Sequence, residues 1–177
     1  MKSILFFCGS LYGKSDKYAV LAAEIGKICA SCGHRLVYGG GDRGIMGALA
    51  KAHLGAGGRV LGILPGFMRG WVEELPGAEY CYVSSMAERK MRMLSESDYA
   101  LVLPGGIGTM DEFFEIATLV QLRQTNIGLG IVNQDSFFTH LVSQLDVMVK
   151  EGFLGSYDHL FDIFYDIDSL FDFLRKL

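Results

Sequence analysis

Short apolar runs rich in β-branched and aromatic residues alternate, from end to end of the chain, with segments whose apolar positions recur at helical spacing. Strand-like runs fall at Ile4–Cys8, Arg35–Tyr38, Val60–Leu64, Tyr80–Ser84, Tyr99–Leu103 and Leu129–Val132, with a weaker one at Phe161–Tyr165. Helices are predicted over Tyr18–Ser31, Gly44–Gly55, Met86–Glu96, Thr109–Gln121 and Ser136–Glu151, and a short terminal one over Asp168–Arg175. Near-continuous apolar strands separated by helices indicate a sheet buried on both faces, which is the signature of parallel strands. The expected fold is therefore α/β: a doubly wound, mostly parallel sheet of about seven strands with helices on both faces. No Pro/Ser linker, repeat or low-complexity tract interrupts this alternation, so residues 1–177 read as one domain. The least regular stretch, Pro65–Glu79, holds Trp71, Glu73, Glu74 and Pro76 and reads as a loop able to cover a pocket.

Half of the 177 residues are apolar, enough for a sizeable core. The net charge of −4, with no basic tail or Lys/Arg run, argues against a nucleic-acid polymer as partner, because such binding leans on clustered positive charge. No stretch is long and apolar enough to span a bilayer. The opening Met1–Ser10 is too short for a signal sequence and reads as a first strand, so a cytoplasmic location is expected. Cys29 and Cys32 form a lone Cys-x-x-Cys with no second pair to complete a zinc site. They also fall at the end of a helix, where the dipole raises a thiol pKa, so small buried residues before a turn are the expected reading.

Three glycine loops each follow a predicted strand. The first, Gly9-Ser-Leu-Tyr-Gly-Lys-Ser15, has three residues before its Gly-Lys pair where a P-loop has four, so ATP hydrolysis of that kind is not expected. Ser10 can still line a pocket, or the loop can be turn chemistry alone. The second satisfies Gly-x-Gly-x-x-Gly through Gly39, Gly41 and Gly44. The next strand, however, ends in Leu64-Pro65 without the acid that would hold a ribose of NAD. An approach of Gly40 and Gly41 to a nucleotide or sugar phosphate, or close helix–strand packing, remain its two readings. The third loop, Pro104-Gly-Gly-Ile-Gly-Thr109, brings three glycines, a threonine hydroxyl and a helix start to one place. Free backbone N–H groups at such a start make a phosphate seat. Asp111 and Glu112 follow, read here as lying in the first helical turn. Acids there stabilise the helix dipole, but a bound phosphate would repel them, which gives a carboxylate at this place a chemical purpose.

Arg89, Lys90 and Arg92 lie on the helix before that strand. Helical spacing puts Arg89 and Arg92 on one face and turns Lys90 elsewhere, either as a solvated basic face or as ligands for an anion.

Together these residues resemble the Lonely guy family, cytokinin-activating nucleoside 5′-monophosphate phosphoribohydrolases often labelled lysine decarboxylases. The resemblance rests on Cys8-Gly9-Ser10, on Gly39-Gly40-Gly41 with Gly44-x-Met46-Gly47, on Arg89-Lys90, on Ser97-Asp98, and on Pro-Gly-Gly-x-Gly-Thr-x-x-Glu at 104–112. It implies a Rossmann-like domain, usually a homodimer with each active site near the subunit interface. It implies hydrolysis of the bond between base and ribose 5-phosphate, needing neither metal nor organic cofactor. By motif position Arg89 and Glu112 become the catalytic pair. Lys90, Gly105, Gly106, Ile107, Gly108, Thr109 and Thr118 become nucleotide contacts, and Met86 lies against the base. No feature identifies a pyridoxal site that would support a decarboxylase. The sequence departs from the usual pattern in Arg123–Gly128, in Ile107 where an aromatic is usual, and in Asp111 where Glu is commoner. Cytokinin-type and plain adenine nucleotides are both open as substrates. The alternative from another class is a non-catalytic nucleotide or cofactor carrier, since fold does not fix function; the pairing of Arg89 with Glu112 favours the enzyme.

Overall fold

The computed structural model describes residues 1–177. The chain runs β1 (Ser3–Phe7), α1 (Lys17–Ser31), β2 (Arg35–Tyr38), α2 (Gly44–Gly55), β3 (Val60–Pro65), β4 (Glu79–Val83), α3 (Met86–Ser95), β5 (Tyr99–Val102), α4 (Ile107–Gln121), β6 (Gly128–Val132), α5 (Thr139–Lys150), β7 (Asp162–Phe164) and α6 (Ile167–Lys176). All seven strands pair in parallel in one sheet of order β4-β3-β2-β1-β5-β6-β7. The chain winds outward from β1 to β4, then returns to place β5 on the other side of β1. The strand order thus reverses between β1 and β5, and a crevice opens beyond their C-terminal ends, the usual ligand position in open α/β sheets.

The two-residue side-chain period of a strand explains why these strands are apolar throughout. Ile4 and Phe6 of β1 enter one core with Leu36, Tyr38 and Leu101, closed by α1, α2 and α6. Leu5 and Phe7 enter the opposite core with Val37, Ala100 and Val102, closed by α3, α4 and α5. Helices α1 and α2 cross closely at Gly26, where a Cβ would stand 2.5 Å from the Leu49 carbonyl oxygen. At the far side Tyr99 Oη lies 3.0 Å from Leu129 O and 2.5 Å from Asp162 Oδ2, stitching β5 to β6 and β7.

Two helix starts differ from expectation. Helix α4 begins at Ile107 rather than Thr109, because Gly106 already adopts an extended N-cap conformation with no side chain to advertise it. Helix α5 begins at Thr139 rather than Ser136, because Asp135 and Ser136 take positive φ (57° and 58°) and break the helical path. The stretch between β3 and β4 contains one short 3₁₀ turn, Gly66–Met68. The Cys-x-x-Cys is structural: Cys29 is buried within α1, Cys32 is its C-cap, and all four cysteines are unpaired. No helix is long and apolar enough to cross a membrane.

Candidate active site

Three loops meet at the crevice. The backbone N–H of Gly9, after β1, donates to Pro104 O, after β5, at 3.0 Å. The Gly9 carbonyl accepts from Ile45 and Met46 N–H, so the first loop also caps the start of α2. Glycine is dictated at two of these contacts. A Cβ on Gly44 would lie 2.3 Å from the Ser10 carbonyl, and one on Gly105 would lie 2.1 Å from Thr109 Oγ1. The N–H groups of Ile107, Gly108 and Thr109 have no carbonyl one turn earlier in α4 to bond, which leaves them for an anion.

Helix α3 supplies the cations. Ser85 Oγ caps it by accepting from Glu88 N–H at 3.1 Å, and the Glu88 carboxylate reaches back to accept from Ser84 N–H at 2.7 Å. This fixed start aims Arg89 inward. Its Nε donates to Ile63 O at 3.0 Å and its Nη2 to Gly39 O at 3.2 Å. Its Nη1 stands 3.8 Å from Glu112 Oε1, both side chains being largely buried. That is an ion-pair distance without a hydrogen bond, and no hydrogen bond reaches the Glu112 carboxylate elsewhere. Burial therefore dominates and pushes the Glu112 pKa up to about 7, with Arg89 and then Lys90 pulling the other way. Burial likewise lowers the Arg89 pKa, opposed by Glu112. Lys90 Nζ sits 2.7 Å from both Asp111 Oδ2 and Glu115 Oε2, and hydrogen bonds to these carboxylates raise its pKa.

A cavity of about 340 Å³ opens over this pair. Of the residues singled out from sequence, Ser10, Met86, Arg89, Lys90, Gly106, Ile107, Gly108, Thr109 and Glu112 all line it. Met86 is half-exposed at its rim, and Ile107, 90% exposed, projects from it. Four of the candidates stand outside this lining. Gly40 and Gly41 stay out of the lining; Gly40 has a positive φ of 82°, and a Cβ on it would strike Leu64. Gly105 faces an adjoining cavity instead. Thr118 lies nine residues along α4 from Thr109, about 14 Å at the helical rise, and its hydroxyl donates to Phe114 O. Asp111 and Glu112 occupy the second turn of α4, because the helix starts early, so the first-turn dipole reading does not apply.

The cationic face also differs from the helical-wheel reading. Arg89 and Lys90 both meet α4, whereas Arg92 turns away to Glu96 at 2.6 Å. No residue of the Pro65–Glu79 stretch lines the cavity; Glu74 accepts from the Tyr82 hydroxyl, and Arg69 lies 4.1 Å over the Tyr82 ring. Sequence reasoning missed Cys8 and Met46 as lining residues and Gly39 as the carbonyl that seats Arg89. Position after β1 and at the start of α2 was the available signal for the first two; a backbone acceptor leaves none. No group of three or more His, Cys, Asp or Glu side chains is placed to hold a metal ion.

The family model described as "Possible lysine decarboxylase" matches residues 46–176. Curated relatives agree over most of the chain. A probable cytokinin riboside 5′-monophosphate phosphoribohydrolase of Oryza sativa subsp. japonica is 39% identical over 156 residues, covering 87% of this chain and 63% of its own length. The chain belongs to the Lonely guy family. Another Lonely guy relative, the cytokinin riboside 5′-monophosphate phosphoribohydrolase of Rhodococcoides fascians, is 37% identical over 86% of this chain and 78% of its own. That of Arabidopsis thaliana is 36% identical over 90% and 71%. The chain thus spans just under two thirds of the rice relative. Among solved structures, the molybdenum cofactor carrier protein of Chlamydomonas reinhardtii superposes with a TM-score of 0.72 at 19% identity, covering 99% of this chain and 96% of its own. At that identity it shares with this Lonely guy chain the fold.

Proposed function

We propose that the chain hydrolyses the N-glycosidic bond of an adenosine-type nucleoside 5′-monophosphate, with or without an N6 substituent, to the free base and ribose 5-phosphate. The observation that carries this reading is the buried Arg89–Glu112 pair, 3.8 Å apart beside the free N-terminus of α4 at the sheet's switch point. The relatives' names point the same way.

The 5′-phosphate sits on the N–H groups of residues 107–109, and that remote binding energy positions the sugar. Cleavage passes through an oxocarbenium-like state, by analogy with glycoside hydrolysis. With a pKa of about 7, Glu112 is part ionised at neutrality. Its carboxylate stabilises the developing positive charge and takes a proton from the attacking water. Hydroxide adds to the anomeric carbon and remains as the ribose hydroxyl; the glycosidic bond breaks with its electron pair going to the base, which takes the proton that Glu112 collected. Arg89, fixed by two backbone carbonyls, holds the glutamate and ribose in register. Residues 1–177 act as one nucleotide-binding domain, and no step calls on a metal or organic cofactor. The four unpaired cysteines suit a reducing, cytoplasmic setting.

A homodimer completes the reading. Phe114, 40% exposed, and Thr118 lie on one outward stretch of α4, beside an apolar groove against α5 that includes Leu145 and Met148. Thr118 reaches a nucleotide only if this face is carried to a partner's crevice.

The deciding assay is chromatography of base released from AMP and from N6-isopentenyl-AMP, with adenosine as control. Free base from the monophosphates but not from adenosine is expected, and the rate ratio ranks the two substrate types. Nucleotide binding without base release would leave the carrier.

A further inference from the structure

A second cavity of about 230 Å³ adjoins the catalytic one, and the two share Gly9, Ser10 and Gly106. It is smaller than the roughly 300–1,000 Å³ of a self-sufficient small-molecule site, so its size suits a subsite. Gly105 and Gly106 line it and Met86 does not, whereas Met86 lines the catalytic cavity. Its walls are Leu11, Tyr18, Ile45, Pro104 and Phe137, and none of its lining residues carries a charge. Its largely apolar walls suit a neutral group better than an anion. The lining suits an aromatic ring: the Tyr18 and Phe137 rings meet edge to face, with centroids 5.3 Å apart at 77°, and four glycines share the lining with them.

These two rings are deliberately held. Lys17 Nζ stands 3.6 Å from Asp135 Oδ2 and 4.7 Å from the Tyr18 ring centre, tying the start of α1 to the turn that presents Phe137. Asp135 and Ser136 in that turn both adopt left-handed φ, which L residues enter only at a cost. Asn133 Oδ1, buried, accepts from Phe138 N–H at 2.7 Å and fixes the turn from below.

We propose that this cavity is an aromatic subsite for a second ring joined through the 5′-phosphate, so that the chain accepts dinucleotides whose two nucleosides are linked by a diphosphate. This rests on the placement of the phosphate at residues 107–109 under the proposed function. The diphosphate crosses the Gly9–Ser10–Gly106 neck; the first adenosine takes the Met86 side and the second base stacks against Tyr18 and Phe137. Hydrolysis is unchanged: water cleaves the first glycosidic bond, releasing adenine and the ribosyl diphosphate of the second nucleoside.

Calorimetric titration with AMP, ADP and P1,P2-di(adenosine 5′) diphosphate tests the assignment. The dinucleotide is expected to bind at least about tenfold tighter than ADP, the order of one base stacked on aromatic rings. Phe137→Ala is expected to erase that gain and leave AMP unchanged. Leu11→Glu should do the same by charging the entrance, and since Leu11 is 78% exposed this variant carries no packing cost. Equal affinity for ADP and the dinucleotide, or an equal loss of AMP in both variants, would overturn the subsite. Normal AMP hydrolysis with no dinucleotide gain sinks the subsite alone. Dinucleotide binding that Leu11→Glu abolishes, with no base release from any nucleotide, sinks the hydrolase and leaves the subsite standing.

Discussion

Glu112→Gln separates the chemistry of the site from its stability. The carboxyl is held in a largely buried position with no hydrogen-bond donor on it, and its pKa stands at about 7 against an ordinary 4.5. At 1.36 kcal/mol per pKa unit, that rise corresponds to a penalty of about 3 kcal/mol on the ionised form in the folded state. The sign follows from proton binding. Between 4.5 and about 7 the folded chain holds this proton more tightly than the unfolded chain does. The stabilising contribution is therefore complete below 4.5 and is lost as pH rises through about 7. A neutral glutamine of the same shape never ionises. Relative to wild type, Glu112→Gln is expected to be near neutral at about pH 5 and more stable by about 2–3 kcal/mol at about pH 8.5. Urea titrations at both pH values, with unchanged slope, measure this.

The same variant is expected to bind AMP and to release no adenine, while the wild-type rate rises through a limb near pH 7 if Glu112 acts in its ionised form. A stability difference that does not change with pH would mean that the carboxyl is well solvated in the folded chain. The assigned electrostatics would then be wrong. Normal turnover by the variant would refute its catalytic role independently.

Gly39→Ala is expected to slow turnover about 100-fold while circular dichroism stays native, because its Cβ would fall 2.3 Å from Arg89 Nη2 and displace the guanidinium. Arg89→Lys should cost a similar factor, since an ammonium cannot reach both carbonyls and Glu112 in one plane. Asp111→Asn should shift stability by less than about 1 kcal/mol, as the Lys90–Asp111 pair is partly exposed, while raising KM for AMP a few-fold by loosening Lys90. Phe114→Glu is expected to convert a dimer to monomer in sedimentation and to reduce activity with it; unchanged sedimentation of a dimeric wild type would move the interface off α4.

The strands were legible because burial on both faces leaves an unmistakable apolar run, and a mostly parallel sheet follows from the helices between most of them; β3 and β4 pair in parallel with only a short 3₁₀ turn between them. The start of α4 was not, because Gly106 caps it through backbone conformation alone. For α5 the obstacle was Asp135 and Ser136, residues without the glycine that usually marks a positive φ. The signature residues at 106–109 and 112 lie together because one loop and the first two turns of α4 carry them. Lys90 was misplaced for a different reason. Helical spacing assigns faces relative to the helix axis, and only the position of α4 decides that Arg89 and Lys90 both meet it while Arg92 does not. Nothing in a sequence marks Gly39 and Ile63 as the carbonyls that seat Arg89, since every residue carries a carbonyl.

Those two carbonyls settle how the site can tolerate a carboxyl that titrates near neutrality. Arg89 is largely buried, and a buried cation whose sole partner was Glu112 would lose its compensation whenever that glutamate took a proton. Instead, its closest contacts are the neutral acceptors Ile63 O and Gly39 O, at 3.0 and 3.2 Å, while Glu112 stands off at 3.8 Å. Backbone carbonyls do not titrate, so the guanidinium keeps its place in both protonation states of Glu112. The acceptors also belong to β3 and the loop after β2, whereas Glu112 follows β5 across the switch point. The proton-carrying group and the acceptors that fix the charge therefore rest on opposite halves of the sheet, and Arg89 and Glu112 both line the cavity that opens over the pair.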